Sequence, residues 1–340
     1  MTNANPLLAR LRASHEVWLL GVVVVMSALL GAAAPGFLTV GNFVDLLETY
    51  SVQGILALGL FVVLVSGGID ISFMATASVA QYLAAFLAAR WHWPALAVIP
   101  IGLATGIVLG CVNAVLIHHV RIISIIATIA TMSVYFALLM YITGGKLISD
   151  LPDWWSDRVV FFSWENADGD LVRITLPMVA LAVAALLTWL MMTRGNAGRQ
   201  IYAMGGNMES ARRIGVPIGR LHLLVYGYLG FMAALGGLLQ AHRVGEAVPN
   251  ALYGTELAVL SAAVLGGASL TGGAGSVPGV LLGIVLLAIL QNGLNLMGVS
   301  PYFFQIVIGL VILVATSVMV MSARGRRARR PAGAAGAGNG

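Results

Sequence analysis

The sequence predicts an all-α, polytopic membrane protein with about ten transmembrane helices, and three observations carry that prediction. The chain has 340 residues, of which 59% are hydrophobic and only 9% charged, with a mean hydropathy of +0.95. A soluble domain carries about 25% charged residues, so this chain cannot cover itself with a solvated surface. Apolar stretches of roughly 20 residues, the length a helix needs to cross hydrocarbon, recur between polar breaks. Alternating strands of about ten residues are absent, which excludes a barrel. The 41 glycines suit helices packed closely in lipid.

In chain order, segment 1–16 carries Arg10 and Arg12 and is expected on the cytoplasmic side. Val17–Ala34 follows and is long enough to stay as an anchor instead of leaving as a cleaved signal. The next spans are Asp45–Ser66, Ser72–Ala89, Pro94–Ile117 and Ile122–Thr143. Segment 144–173 is the largest loop on the opposite side. It holds six acids (Asp150, Asp153, Asp157, Glu165, Asp168, Asp170) and the tryptophans Trp154, Trp155 and Trp164. It reads as a solvated loop with an interfacial aromatic belt, or as part of a face for an external partner. Leu176–Met192 and Leu221–Gln240 flank the basic segment 194–220. Thr255–Leu265 is a short span with Glu256 near its start and Gly266-Gly267 at its end. Val277–Met297 and Tyr302–Met321 complete the membrane domain, 17–321. The tail 322–340 is basic, then rich in Gly and Ala, a composition expected to be disordered.

Charge tests this topology. With ten spans and both termini in the cytoplasm, the inside loops hold Arg10, Arg12, Arg121, the five arginines of 194–220, and Arg324, Arg326, Arg327, Arg329 and Arg330. That is thirteen of the 18 basic residues, as the positive-inside rule requires. Removing one span would put an arginine cluster outside.

Segment 194–220 is a polar island in an apolar chain. Arg194, Arg199, Arg212, Arg213 and Arg220 face one acid, Glu209. Met208–Ile214 reads as a short helix ended by Gly215 and Pro217. A structured basic loop on the inner face is a natural docking surface for a cytosolic partner.

No enzyme is visible in this chain. Gly144-Gly145-Lys146 is followed by Leu147 and lacks the upstream glycine of a phosphate loop; Gly266–Gly275 has neither the dinucleotide glycine spacing nor a strand before it. Neither a nucleophile elbow nor an HExxH helix occurs. His118 and His119 are adjacent, so on a helix they point about 100° apart and cannot easily share one metal. No cofactor is expected, and no nucleic acid, since the positive charge lies where topology places it. The single cysteine, Cys111, excludes an internal disulfide.

Five stretches in order resemble one family. Ser66–Ser72 (SGGIDIS), Thr128–Tyr135 with Thr143-Gly144-Gly145, Gly198–Gly215 (GRQIYAMGGNMESARRIG), Leu265–Pro278 (LGGASLTGGAGSVP) and Leu290–Gly298 (LQNGLNLMG) resemble the landmarks of permease subunits of ribose/xylose/arabinose-type sugar ATP-binding-cassette importers. The resemblance runs from about Asn42 to Met321. Two places depart from it: Phe73-Met74 stands where the family usually has a small pair ending in glycine, and Phe136-Ala137 where it usually has Arg-Gly. The resemblance implies a cobalamin-importer-like transmembrane domain in the bacterial inner (plasma) membrane, which moves a monosaccharide or small polyol by alternating access. It implies a cytosolic ATPase subunit, a periplasmic or lipid-anchored sugar-binding protein, and a second permease subunit, identical or related.

The residues expected at the ATPase-facing loop are Gly198, Arg199, Gly205, Gly206, Asn207, Glu209, Ala211, Arg212 and Gly215. Gln291, Asn292 and Asn295 are neutral amides in an apolar span, suited either to a sugar path or to helix–helix bonding. Asp70 and Ser72 are further path candidates. Asp70 reads foremost as a cap for the helix that starts near Ser72, with a proton relay as the alternative. Asp45 and Glu48 read as interfacial, and Arg243 as a partner for Glu256. The competing reading of the whole chain, a proton- or sodium-coupled secondary transporter, requires intramembrane carboxylates, and the mid-span positions are nearly free of acids.

Overall fold

A computed structural model of the chain describes residues 15–165 and 171–300, together with positions 303, 306, 309, 310 and 313. Nearly all of segment 1–16, most of span Tyr302–Met321, the tail 322–340, and Asp168 and Asp170 lie outside the described residues.

The helices are α1 (His15–Ala33), α2 (Val40–Val65), α3 (Phe73–Trp91), α4 (Ala95–His118), α5 (Ser124–Thr143), α6 (Asp153–Ser156), α7 (Leu176–Thr193), α8 (Asn196–Gly206), α9 (Met208–Arg213), α10 (Ile218–Val244), α11 (Glu256–Leu265) and α12 (Val277–Leu296). Among the described residues, seven helices are long and apolar enough to cross a membrane: α1, α2, α4, α5, α7, α10 and α12. The expected spans Ser72–Ala89 and Thr255–Leu265 fall outside this set. The first is helix α3, with Thr, Ser and Gln among its buried residues. The second is the ten-residue α11, too short to span by itself.

The all-α expectation needs one correction. Segment 144–173 contains an antiparallel hairpin, β1 (Val160–Glu165) paired with β2 (Leu171–Thr175), which leads directly into α7. Its irregular register between Val160 and Phe162 is a β-bulge. Trp155 is also not part of an interfacial belt. It is 5% exposed, and its indole N–H donates to Leu238 O at 3.2 Å. Trp154 and Trp164 stay exposed.

The bundle has two distinct ends. At one, Trp155 and the Ile148–Ala247 bridge pack against α3, α4 and α10, and β2 against α2 and α7. At the other lie α8, α9 and the arginines of 194–220. In the bundle centre, α2 and α10 have 83% and 72% of their apolar windows buried, whereas α1 has 11%. The periphery is where the apolar side chains are exposed, the arrangement expected when lipid is the solvent.

Helices α4 and α10 cross at backbone contact. Gly102, Gly106 and Gly110, four residues apart, form one stripe on α4 that meets α10. A Cβ on Gly106 would lie 2.2 Å from Gly230 O, one on Gly110 2.2 Å from Tyr226 O, and one on Gly230 2.0 Å from Gly106 O. Small residues permit this approach, and in lipid, dispersion across such a seam replaces the hydrophobic drive.

Replacing Gly106 with Leu is expected to push α4 off α10 and cost about 3 kcal/mol. The measurement is a lowered thermal unfolding midpoint in detergent. Gly21→Ala is the control, because nothing lies within 4 Å of its added Cβ, and its midpoint should not fall.

Candidate functional site

The arginine-bearing end is an arch of two short helices. Asn207 closes α8 and opens α9, its side chain accepting the Ser210 N–H at 2.9 Å. Helix α9 ends at Gly215, whose φ of +87° suits glycine at a helix terminus. The expected short helix at 208–214 is thus observed, and α8 before it is an element that the sequence pattern does not mark. Arg199, Gly206, Asn207, Glu209, Arg212 and Gly215 are exposed. Met208 and Ile214 are 43% and 77% exposed, apolar contacts set among charges. Ala211 is buried and anchors α9. Gly198 is also buried, and a Cβ there would meet Met192 O at 2.4 Å.

The arch is locked to two turns by backbone contact. A Cβ on Gly205 would sit 1.8 Å from Val65 O and 2.7 Å from Gly273 N. Gly272 lies equally close to Gly205 and Gly67. The Gly273 N–H donates to Val65 O at 2.8 Å, and the Tyr202 hydroxyl to Gly275 O at 2.8 Å. The turn after α2, the turn after α11 and the end of α8 therefore meet without side chains between them. Gly206 differs: its added Cβ would meet nothing within 4 Å.

Between α2 and α3 the chain is not helical, and α5 supplies the missing partners. The Ile69 N–H donates to Ser124 Oγ at 3.1 Å and the Ile71 N–H to Thr128 Oγ1 at 3.3 Å. Asp70 is 2% exposed. Its Oδ1 accepts both the N–H and the hydroxyl of Ser72 at 2.7 Å, and its Oδ2 accepts from Asn113 Nδ2 at 3.0 Å. Asn113 also donates to Ser72 Oγ at 2.7 Å and accepts from the Thr131 hydroxyl at 2.8 Å. The cap expected of Asp70 is made to Ser72, the residue before the helix, and Ser72 itself makes no side-chain cap bond.

The other path candidates lie elsewhere. Asn292 exchanges amide bonds with Asn42 at 3.0 and 2.9 Å, joining α12 to α2 at the hairpin end. Gln291 is half-buried and Asn295 exposed. Asp70 and Ser72 sit toward the arginine end, so the five residues do not converge on one cavity. A cleft of about 480 Å³ at the hairpin end is lined by Thr39, Asn42, Asp45, Glu48, Arg158 and Arg173. Glu48 is paired with Arg158 at 2.6 Å. The expected Glu256–Arg243 pair is not formed: Glu256 accepts the Gly254 N–H at 3.0 Å, while Arg243 lies beside Glu48 and Arg158.

Asn113 and Ser124 join this network without having been singled out by any motif, and Thr131 joins it from the Thr128–Tyr135 stretch. The sequence does carry a signal for two of them, since Ser124, Thr128 and Thr131 form an i, i+4, i+7 polar stripe on an apolar helix.

This fold and these sites define a multi-pass membrane permease. The chain belongs to the family described as branched-chain amino acid transport system / permease component, which matches residues 42–316. It is 33% identical over 296 residues to the ribose import permease protein RbsC of Escherichia coli K12, covering 87% of this chain and 91% of that protein. It is 33% identical over 281 residues to the RbsC of Bacillus subtilis 168, covering 83% and 85%. It is 32% identical over 311 residues to the galactose/methyl galactoside import permease protein MglC of Escherichia coli K12, covering 87% and 91%.

Asn113→Leu would take the amide donor from Asp70 Oδ2 and from Ser72 Oγ inside the protein. It is expected to cost about 1–3 kcal/mol, read as a lower unfolding midpoint in detergent. Asp70→Asn should lower it too, because its carboxamide puts an NH2 donor where a carboxylate oxygen accepts from Ser72 or Asn113. An unchanged midpoint in Asn113→Leu would contradict the network.

Proposed function

We propose that this chain is the membrane-spanning permease subunit of an ATP-binding-cassette importer that passes a monosaccharide or related small polyol across the inner membrane by alternating access. The observation that carries this reading is the exposed basic α8–α9 arch, locked by backbone contact to the turns before α3 and α12. An engine gripping the arch moves those turns with it, which is the shared element that coupling between two sites requires. The names of the ribose and galactose relatives support a sugar as cargo.

In this reading the chain crosses ten times: by the seven long helices, by α3, by α11 with the segment before it, and by the span after α12. The arginine end and both termini face the cytoplasm, following the positive-inside rule. The partners are a cytosolic ATPase subunit at the arch, a sugar-binding protein at the hairpin end and a second permease subunit, within a cobalamin-importer-like architecture. ATP hydrolysis belongs to the ATPase subunit. Asp70 and Ser72 hold α3, α4 and α5 together at the inner end of the path, while Gln291 and Asn295 are neutral groups available to cargo. Asn292 is engaged with Asn42.

Reconstituted with its ATPase and binding protein, the permease should take up sugar only with ATP; alone, under a proton or sodium gradient, it should take up none. Gly206→Trp adds bulk on the open side of the arch. It should abolish co-purification of the ATPase, or coupled hydrolysis, with an unfolding midpoint unchanged. Wild-type behaviour in both would remove the arch from the coupling path.

A further inference from the structure

After α10 the chain reaches the hairpin end, where Ala247 pairs with Ile148 through two backbone bonds. It then turns back into the bundle without forming a helix. Val248 O accepts from Gln81 Nε2 at 2.8 Å, and Gln81 is the ninth of the 19 residues of α3. The Tyr253 ring stacks on Phe136 with centroids 3.8 Å apart and planes 15° apart, and Phe136 is the thirteenth of the 20 residues of α5. The Thr255 hydroxyl contacts Met74 Sδ at 3.8 Å, and α11 begins at the next residue. Residues 248–255 therefore descend to the middle height of the bundle as turns.

Asn250, Ala251, Tyr253 and Gly254 are exposed there. Hydrocarbon offers no hydrogen-bond partner, so exposed non-helical backbone at this depth is tolerated only against protein or a water-filled cavity. The two exposed functional side chains have complementary chemistry. Tyr253 presents a ring face, 42% exposed and backed by Phe136, and Asn250 presents an amide. The negative face of an aromatic ring suits the weakly positive C–H face of a sugar ring; an amide can both donate to and accept from its hydroxyls. Both places where the sequence departs from the resembled family, Phe73-Met74 and Phe136-Ala137, adjoin this segment through Met74 and Phe136.

We propose that residues 248–255 line the translocation path at mid-membrane and form a cargo-selecting site, in which Tyr253, braced by Phe136, takes the ring face of a monosaccharide and Asn250 its hydroxyls. The proposal rests on the importer reading of the preceding subsection. It places selection on a break between helices, where a ring and an amide are exposed while the buried Glu256 carboxylate is turned onto the Gly254 N–H.

The test uses the assembled transporter in proteoliposomes, with Cys111 replaced by Ala and Tyr253→Cys or Asn250→Cys introduced. A charged, membrane-impermeant thiol reagent should label both variants, and a transported monosaccharide should slow that labelling several-fold. In parallel, Tyr253→Ala should raise the KM for uptake about tenfold, while Tyr253→Phe keeps the ring and stays near wild type. Three results overturn the site: no labelling, labelling that transported sugar does not slow, or oxidative cross-linking of two permease copies through the thiol of the Tyr253→Cys variant in place of labelling. Failure of the importer reading is seen separately, in a wild-type complex that takes up no monosaccharide with ATP, and that result overturns both proposals.

Discussion

Hydrocarbon provides nothing for a backbone amide or carbonyl to bond with, and three breaks between the described helices are arranged around that constraint. The break before α3 borrows Ser124 and Thr128 from α5 and closes on Asp70, Ser72 and Asn113. The break before α11 borrows Gln81 and turns the carboxylate of Glu256 onto its own backbone. The break before α12 is held by Val65 O and Tyr202. In each case a side chain or carbonyl from a neighbouring element supplies the bond that an unbroken helix would make for itself.

Glycine makes these exchanges short enough to form. The α4–α10 seam and the Gly67–Gly205–Gly272 meeting point are both closed by missing Cβ atoms. Their consequences differ. The seam joins two long helices along their length and makes them one body. The meeting point joins three chain turns at the arginine end, so a displacement of α8 is felt directly by the segments that lead into α3 and α12.

The ion pairs lie at the two ends. Glu48 and Arg158 pair beside the hairpin, Glu209 and Arg213 pair on the arch, and the interior network contains one carboxylate, Asp70, with both oxygens bonded. An interior of amides, hydroxyls and aromatic rings suits neutral polar cargo, since it discriminates by hydrogen-bond geometry and ring contact.

The sequence by itself determined the class of protein, the positions of most long helices and the existence of a structured basic loop, because hydropathy, length and arginine placement are local properties summed along the chain. It also marked the Ser66–Ser72 and Gly198–Gly215 stretches as special. Only the tertiary structure decided what each polar residue does. Asn292 and Asn295 look alike in sequence, yet one is bonded to Asn42 and the other is exposed. Trp155 reads as a belt residue and is buried on Leu238; Glu256 reads as a partner for Arg243 and bonds its own turn instead. The descent of residues 248–255 depended on pairings with distant segments. A polar atom in a membrane protein takes whichever partner the fold brings within about 3 Å, and that choice is made between helices, beyond the reach of any window along one of them.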